Sequence, residues 1–366
     1  MSAGIAVEAL ALTLGAFRLN EIEFALSAGE ILVILGPNGS GKSVTLETIA
    51  GFHRSDSGRV LIGGRDVTGL PPERRKVGFV VQNFGLFPHL SVAQNVAIAH
   101  RRDRVDIAAK SGLPPRNNPS ALLAYFGIAH LARRAPNDLS SGEKQRVALA
   151  RALAGAPDVF LFDEPFSALD SQTRDQLREE LRSFLRALAM PAIFVTHDHT
   201  DAMSLADKII VLRDGVMVQS GPVAEIFRKP ANSFVARFVG VENILDARVV
   251  EIAGGIATAA LGDRTLRTTA PPRLDGTTKT VSLGIRAEDV IICAPRDDQP
   301  TPHGINRFDV RVVDLRALGP LAAIHLDCGF PLKAYLLGPQ ARAMNLRVGS
   351  PLAVEIAADA IHIMPN

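Results

Sequence analysis

The segment Gly36-Pro-Asn-Gly-Ser-Gly-Lys42-Ser43 constrains this chain more than any other. It fits G-x-x-x-x-G-K-[ST], directly after the apolar run Ile31–Leu35 and before a helical pattern, Val44–Ala50, that Gly51 closes. At average composition the pattern arises by chance in on the order of 0.01 chains of this length, and strand–loop–helix is the context it requires. Glycines let the backbone wrap closely, so that N–H groups and a helix N-terminus face phosphate oxygens. In such a loop Lys42 is a positive point charge between the β- and γ-phosphates, and the Ser43 hydroxyl is a ligand for Mg²⁺. Gly36, Pro37, Asn38, Gly39, Ser40, Gly41, Lys42, Ser43 and the following Val44 are thus the candidate nucleotide-binding residues.

Such a loop works with carboxylates at a neighbouring strand end. Phe160-Leu-Phe-Asp163-Glu164-Pro165 places two at the end of an apolar run, where ligands bind in open parallel sheets. Asp163 suits Mg²⁺, and Glu164 suits polarisation of a water attacking the γ-phosphate. The runs Val159–Phe162 and Ala192–Val195 are apolar at every position, as central parallel strands are. Buried helix is the alternative, and short length with polar closure favours strand. Residues 1–238 therefore read as an α/β domain with a largely parallel sheet. From Pro88 to Pro157 the pattern turns helical and more polar. It holds a loop by composition, Ser111–Pro119, and the run Arg101-Arg-Asp-Arg104, which reads as a solvated surface or a contact with a partner protein.

After Gly240 the chain becomes β-rich. Asp246-Ala-Arg-Val-Val-Glu251 recurs as Asp309-Val-Arg-Val-Val-Asp314, an offset of 309 − 246 = 63 residues. Each copy precedes a glycine turn and a second β-like run, so two related small β-barrel modules are the simplest account of residues 239–366. The 366 residues carry 40 basic and 38 acidic side chains, a net +2 that argues for neither nucleic acid nor an anionic surface as partner. Two cysteines without metal-ligand spacing exclude a disulfide scaffold and favour a reducing compartment. No stretch reaches the ~18 apolar residues of a membrane span, and no basic region precedes the first apolar run. The expectation is a cytosolic protein; if it serves a membrane process, another subunit does the spanning.

Leu139-Ser-Ser-Gly-Glu143, ahead of a helical pattern, resembles the Leu-Ser-Gly-Gly-Gln signature of the ATP-binding-cassette (ABC) ATPases, and it stands in that family's order between the phosphate loop and the Asp163 strand. The resemblance implies a P-loop NTPase fold, an ABC cassette with a helical subdomain at about 88–157. It further implies ATP and Mg²⁺ as cofactors, with Glu164, His197 and Gln82 as the catalytic set. Gln82 resembles the Q-loop glutamine, and Ser43, Gln82 and Asp163 would hold the metal. His197 in Val195-Thr-His-Asp198 resembles the switch histidine, and Ser167-Ala-Leu-Asp170 the D-loop. Phe17 occupies the place of the aromatic residue that stacks on adenine. Ser140, Ser141, Gly142 and Glu143 would then contact ATP in trans, across a head-to-tail homodimer. Two departures stand out: Ser141 replaces a glycine, and Glu143 replaces glutamine, adding a negative charge near ATP.

The tail resembles the C-terminal TOBE-like (OB-like) β domains of importer ATPases, through Leu283-Gly-Ile-Arg-Ala-Glu-Asp289. Pro331–Tyr335, Ala360–Ile363, Gly41–Glu47 and Leu70–Arg75 are similar to molybdate- and tungstate-type subunits. The resemblance implies an ATPase peripheral to the cytoplasmic face of the cell (inner) membrane. It would bind a polytopic permease through an apolar surface near Phe84–His89, and serve a solute-binding protein indirectly. Sulfate, sugars, polyamines and ferric iron are the alternative solutes. The tail would bind a regulatory oxyanion or only strengthen dimerisation. A soluble cassette acting on nucleic acid is the other class; it is disfavoured because such proteins usually carry two cassettes or a long coiled coil. No Asn-Lys-x-Asp guanine-reading segment occurs either.

Overall fold

The computed structural model describes residues 4–99, 118–167, 169–271, 274, 280–294 and 304–365. The arginine run at 101–104 and most of the loop at 111–119 lie outside them. The chain forms two compact units, residues 1–223 and 224–366.

In the first unit a hairpin, β1 (Ile5–Leu14) and β2 (Phe17–Leu26), leads into β3 (Ile31–Leu35), whose five residues are all buried. The phosphate-type loop follows, then α1 (Lys42–Ala50), β4 (Ser57–Ile62), β5 (Arg65–Asp66) and β6 (Val77–Val80). The helical stretch comprises α2 (Val92–Ala97), α3 (Pro119–Tyr125) and α4 (Ser141–Ala154). The chain then alternates through β7 (Val159–Asp163), α5 (Ser171–Leu188), β8 (Ala192–Val195), α6 (His199–Leu205), β9 (Lys208–Arg213) and β10 (Val216–Pro222).

These strands make one ten-stranded sheet, ordered β5-β4-β1-β2-β10-β9-β3-β8-β7-β6. The segment β9-β3-β8-β7-β6 is parallel throughout, and β10 also meets β2 in parallel. The expectation of a largely parallel sheet therefore holds for half of it. The two-residue link between β1 and β2 leaves no room for a crossover, so those strands pair antiparallel. Within the parallel half, Ile34 pairs with Val195 and Asp163 pairs with Val195, which aligns the carboxyl ends of β3, β7 and β8.

The second unit opens with two short helices, α7 (Val223–Arg228) and α8 (Ser233–Phe238). The sequence groups residues 224–238 with the cassette; two of their carbonyls accept hydrogen bonds from the β-rich tail. Arg286 Nη2 donates to Phe227 O at 2.7 Å, and His362 Nε2 to Pro230 O at 2.9 Å. The tail strands are β11 (Asn243–Ala253), β12 (Ile256–Leu261), β13 (Arg264–Thr269), β14 (Thr280–Ile285), β15 (Ile291–Cys293), β16 (Ile305–Leu318), β17 (Leu321–Asp327) and β18 (Pro331–Leu337). After α9 (Gly338–Ala343) come β19 (Pro351–Ala357) and β20 (Ile361–Pro365).

Two antiparallel sheets result, β13-β12-β11-β14-β20 and β15-β19-β16-β17-β18. The repeated motif lies on β11 and β16, and each copy carries a register shift at the same place, Val249/Glu251 and Val312/Asp314. The copies exchange strands: β20 completes the first sheet on β14, and β15 completes the second on β19. Leu283 and Ile285 of one sheet share a core with Ile324 and Val354 of the other. The two modules are thus interlocked. A pair of buried asparagines, also 306 − 243 = 63 residues apart, ties them together. Asn243 Nδ2 donates to Ile285 O and Lys333 O (3.1 and 2.9 Å), while Asn306 Nδ2 donates to Arg267 O and Ile356 O (2.8 and 3.2 Å).

Candidate functional site

Gly36 follows β3, and a Cβ there would sit 2.3 Å from Leu212 O and 2.5 Å from Ser40 Oγ, so only glycine fits. Gly41 has φ 101°, and a Cβ on it would meet Phe17 Cζ at 2.5 Å. Lys42 opens α1, is 6 % exposed, and donates to the carbonyls of Gly36 (2.8 Å) and Pro37 (3.0 Å). Burial lowers its pKa, and the carboxylates of Glu164 and Asp163 oppose that shift. Ser43 Oγ donates to Asp163 Oδ1 at 3.0 Å. Burial raises the Asp163 pKa against that hydrogen bond, and the neighbouring charges of Glu164 and Glu47 add to the rise.

Glu164, just past β7, has φ 48°, a left-handed backbone uncommon for a residue with a side chain. Its N–H donates to Val195 O at 2.9 Å, which fastens the strained turn to β8. His197 Nδ1 donates to Glu164 Oε1 at 2.8 Å. The acceptor is a carboxylate, so the ring proton of this hydrogen bond sits on Nδ1. The proximity follows from the sheet register, because Glu164 and His197 lie one and two residues past the aligned ends of β7 and β8.

A cavity of about 500 Å³ opens over these groups, lined by Phe17, Asn38, Gly39, Gly41, Lys42, Ser43, Val44, Gln82, Glu164, Ser167 and His197. Gly36, Pro37 and Ser40 do not line it and instead brace the loop: Ser40 N donates to Pro37 O at 3.2 Å, and Gly215 N donates to Ser40 O at 3.0 Å. Asp163 reaches the cavity through Ser43. A hydroxyl beside a carboxylate is the hard-oxygen donor set that suits Mg²⁺.

The signature residues stand apart from this cavity. Ser140 caps α4 by accepting from Glu143 N at 3.3 Å, and Ser140 N donates to Glu143 Oε2 at 2.7 Å, a reciprocal capping box. These hydrogen bonds hold the Glu143 pKa below the usual carboxylate range. Ser141 and Gly142 form the first turn of α4. Asp170 caps α5 by accepting from Thr173 N at 3.0 Å, and it too lies outside the cavity.

Three features escape a reading of motifs alone. Ser167, in the quoted D-loop, lines the cavity and donates from Oγ to Glu164 O at 2.9 Å. Behind His197, the buried Arg178 donates to Asp201 Oδ1 at 2.5 Å, Thr196 Oγ1 donates to Asp201 Oδ2 at 2.8 Å, and Arg174 pairs with Asp198 at 3.0 Å. Arg174 and Arg178 are four apart on α5, one helix face, which is the only sequence signal of this brace. Arg75, 3 % exposed, donates to the Thr48 and Ile49 carbonyls at the end of α1 and to Leu70 O and Thr68 O. Near Gln82 the two phenylalanines divide: Phe84 is buried, and Phe87 is exposed. Among the described residues no helix is long and apolar enough to cross a membrane.

Comparison with known proteins agrees with this geometry. The ABC transporter family profile matches residues 19–167. The molybdate/tungstate import ATP-binding protein WtpC of Pyrococcus horikoshii is 38% identical over 363 residues, 98% of this chain and 99% of that protein. The sulfate/thiosulfate import ATP-binding protein CysA 2 of Chromobacterium violaceum is 37% identical over 373 residues, 100% of this chain and 96% of that protein. Among solved structures, the dimeric post-hydrolysis state of the ATP-binding cassette MJ0796 with ADP and Pi is similar, at TM-score 0.50 and 30% identity, over 60% of this chain and 98% of that one. With a phosphate loop, an Asp-Glu strand end and a histidine gathered on one cavity, and with relatives matched along their whole length, the chain belongs to the ABC transporter family, among its importer ATP-hydrolysing subunits.

Proposed function

We propose that this ATPase works as a homodimer, peripheral to the cytoplasmic face of the cell membrane, and energises import of an oxyanion of the molybdate or tungstate kind. The observation that carries the catalytic part is the Glu164–His197 hydrogen bond over the Lys42–Ser43 loop. Phe17 offers an aromatic face to adenine. Lys42 exchanges its loop carbonyls for phosphate oxygens, and the loop N–H groups point at the same charge. Glu164 accepts a proton from the attacking water, and His197, bonded to Glu164, holds that carboxylate and faces the γ-phosphate. Ser43, Asp163 and Gln82 would hold Mg²⁺, which would supply neutralisation of the phosphate charge.

Ser140, Ser141, Gly142 and Glu143 lie outside their own chain's cavity, which supports a role on the ATP of a second copy. Hydrolysis then removes the contacts that hold the pair closed. Light scattering of the ATP-bound Glu164→Gln variant, with partner subunits present, tests this; a species that stays monomeric refutes it. Exposed Phe87 supports docking of a polytopic permease near the Gln82 loop.

The solute reading rests on the full-length match to WtpC. The match to CysA 2 supports a second reading, sulfate. ATPase stimulation in reconstituted vesicles, by molybdate, tungstate or sulfate with the matching binding protein, separates the two. Binding of an oxyanion by the tail is tested by calorimetry of the full chain with molybdate; absence of heat at millimolar ligand leaves the tail a dimerisation element.

A further inference from the structure

A second cavity, of about 520 Å³, opens in the first unit and shares no lining residue with the nucleotide cavity. It is built from α4, α5 and the turn that closes α3. α5 gives it one stripe, Leu177, Leu181 and Phe184, at the three- and four-residue steps of a helix face. Gln145 and Leu149, one turn apart on α4, supply another wall. Tyr125, Phe126 and Phe184 form an aromatic cluster, with ring centroids 5.3, 5.1 and 6.2 Å apart. A cavity of this size, mostly apolar and aromatic with few polar groups, has the make-up of a small-molecule site.

The polar groups decide what it would hold. Gln145 is 1 % exposed, and its Oε1 has no hydrogen-bond partner among the described residues. A buried carbonyl without a donor is costly, and nearly all such groups in folded proteins are paired. Ser40 Oγ, Arg174 Nε and Arg307 Nη2 are also buried without partners, but none of those residues lines either cavity. The cavity's two charged residues meet each other. Arg146 Nη2 donates to both Glu180 carboxylate oxygens, at 3.1 and 2.9 Å, and Gln176 Nε2 donates to Glu180 Oε1 at 2.9 Å. A charged ligand would therefore find no net counter-charge.

We propose that this cavity binds an uncharged, flat, fused-ring heteroaromatic molecule, its rings against Tyr125, Phe126 and Phe184 and an N–H on its edge donating to Gln145 Oε1. Aromatic walls receive a flat ring by offset or edge-to-face contact. A lactam or imide edge, N–H beside C=O, matches both halves of the Gln145 carboxamide, since Oε1 accepts and Nε2 donates. The site is independent of the roles given to Glu164 and the signature.

The test uses the full-length protein and lumichrome, a fluorescent, uncharged tricyclic imide, beside its N,N′-dimethyl derivative, which has a similar ring shape and no N–H. Fluorescence anisotropy should give lumichrome a Kd on the order of 10 µM, and the dimethyl probe one about tenfold weaker. In Gln145→Met, which keeps an unbranched side chain and removes the amide, the two probes should bind alike, within about twofold. Ala187→Trp, which adds bulk at an exposed lining position, should abolish binding of both. Saturating MgATP should displace neither. An absence of binding overturns the proposal, as do equal affinities for the two probes in the parent protein. Displacement by MgATP overturns it too, because the probe would then lie in the nucleotide cavity. Thermal midpoints are the fold control. Should Gln145→Met not fold, the parent's preference for lumichrome and the loss of both probes in Ala187→Trp decide.

Discussion

Glu164 and Asp163 are consecutive carboxylates with different surroundings, and their variants should behave differently. Glu164→Gln keeps the side-chain shape and loses the base proposed above. Its expected effect is a fall in hydrolysis of about 10²–10⁴-fold, with ATP binding nearly unchanged, read from phosphate release and nucleotide titration. Asp163 pays for its place with desolvation: burial raises its pKa in the folded protein. The folded state holds that proton more tightly than the unfolded state, so the group costs stability as pH rises through the acid range. Asp163→Asn should therefore raise the thermal midpoint of the nucleotide-free protein by about 2–4 °C at neutral pH, by little below the usual carboxylate range, and abolish Mg²⁺-dependent hydrolysis. An unchanged midpoint at pH 7 would mean that Ser43 already offsets the burial. These residues were legible in the sequence because each carries its chemistry alone. The division between buried Phe84 and exposed Phe87 was not, since two phenylalanines three apart give no sign of which faces the core.

At the scale of an element, α4 shows how a departure from a motif is absorbed. Glu143 brings a charge to the signature, but its carboxylate turns back onto Ser140 N at 2.7 Å and Oγ at 2.9 Å. Glutamine can make the same capping box. Glu143→Gln should leave the thermal midpoint within about 2 °C and tighten ATP-dependent dimerisation about two- to fivefold, by removing a like charge near phosphate. Analytical ultracentrifugation of the Glu164→Gln background with and without the change measures this. Weaker dimerisation would show that the carboxylate itself is a contact. The start of α4 was readable from Ser140 and Glu143 three residues apart; the hydrogen bonds of Arg151 to Gly85 O and Phe84 O were not, because backbone carbonyls leave no mark in the sequence.

For the whole molecule, the exchanged strands of the second unit set its cooperativity. β20 is the last strand of the chain, yet it pairs with β14 and supplies Ile361 and Ile363 to the shared core. Ending the chain at Ala357 should therefore remove hydrogen-exchange protection from β11 and β14 and, through the common core, from β16 and β19 as well. Retained protection in β16–β19 would show two independently folded modules. The 63-residue echo announced a duplication, and the matching bulges and the Asn243–Asn306 pair carry it through. Which copy keeps its own last strand is a matter of tertiary pairing, and the echo says nothing of it.

The sequence by itself determined the chemistry: a phosphate loop between an apolar strand and a helix, an Asp-Glu strand end, a histidine, and a β-rich tail built twice. Those features are local, fixed by residue type, spacing and periodicity. The tertiary structure decided what meets what. The register of β3, β7 and β8 brings Glu164 within 2.8 Å of His197, Arg75 and Arg151 find carbonyls far away in the chain, and the signature stays outside its own chain's cavity. Such contacts depend on strand order and on backbone groups that every residue shares, and for that reason no pattern of side chains encodes them.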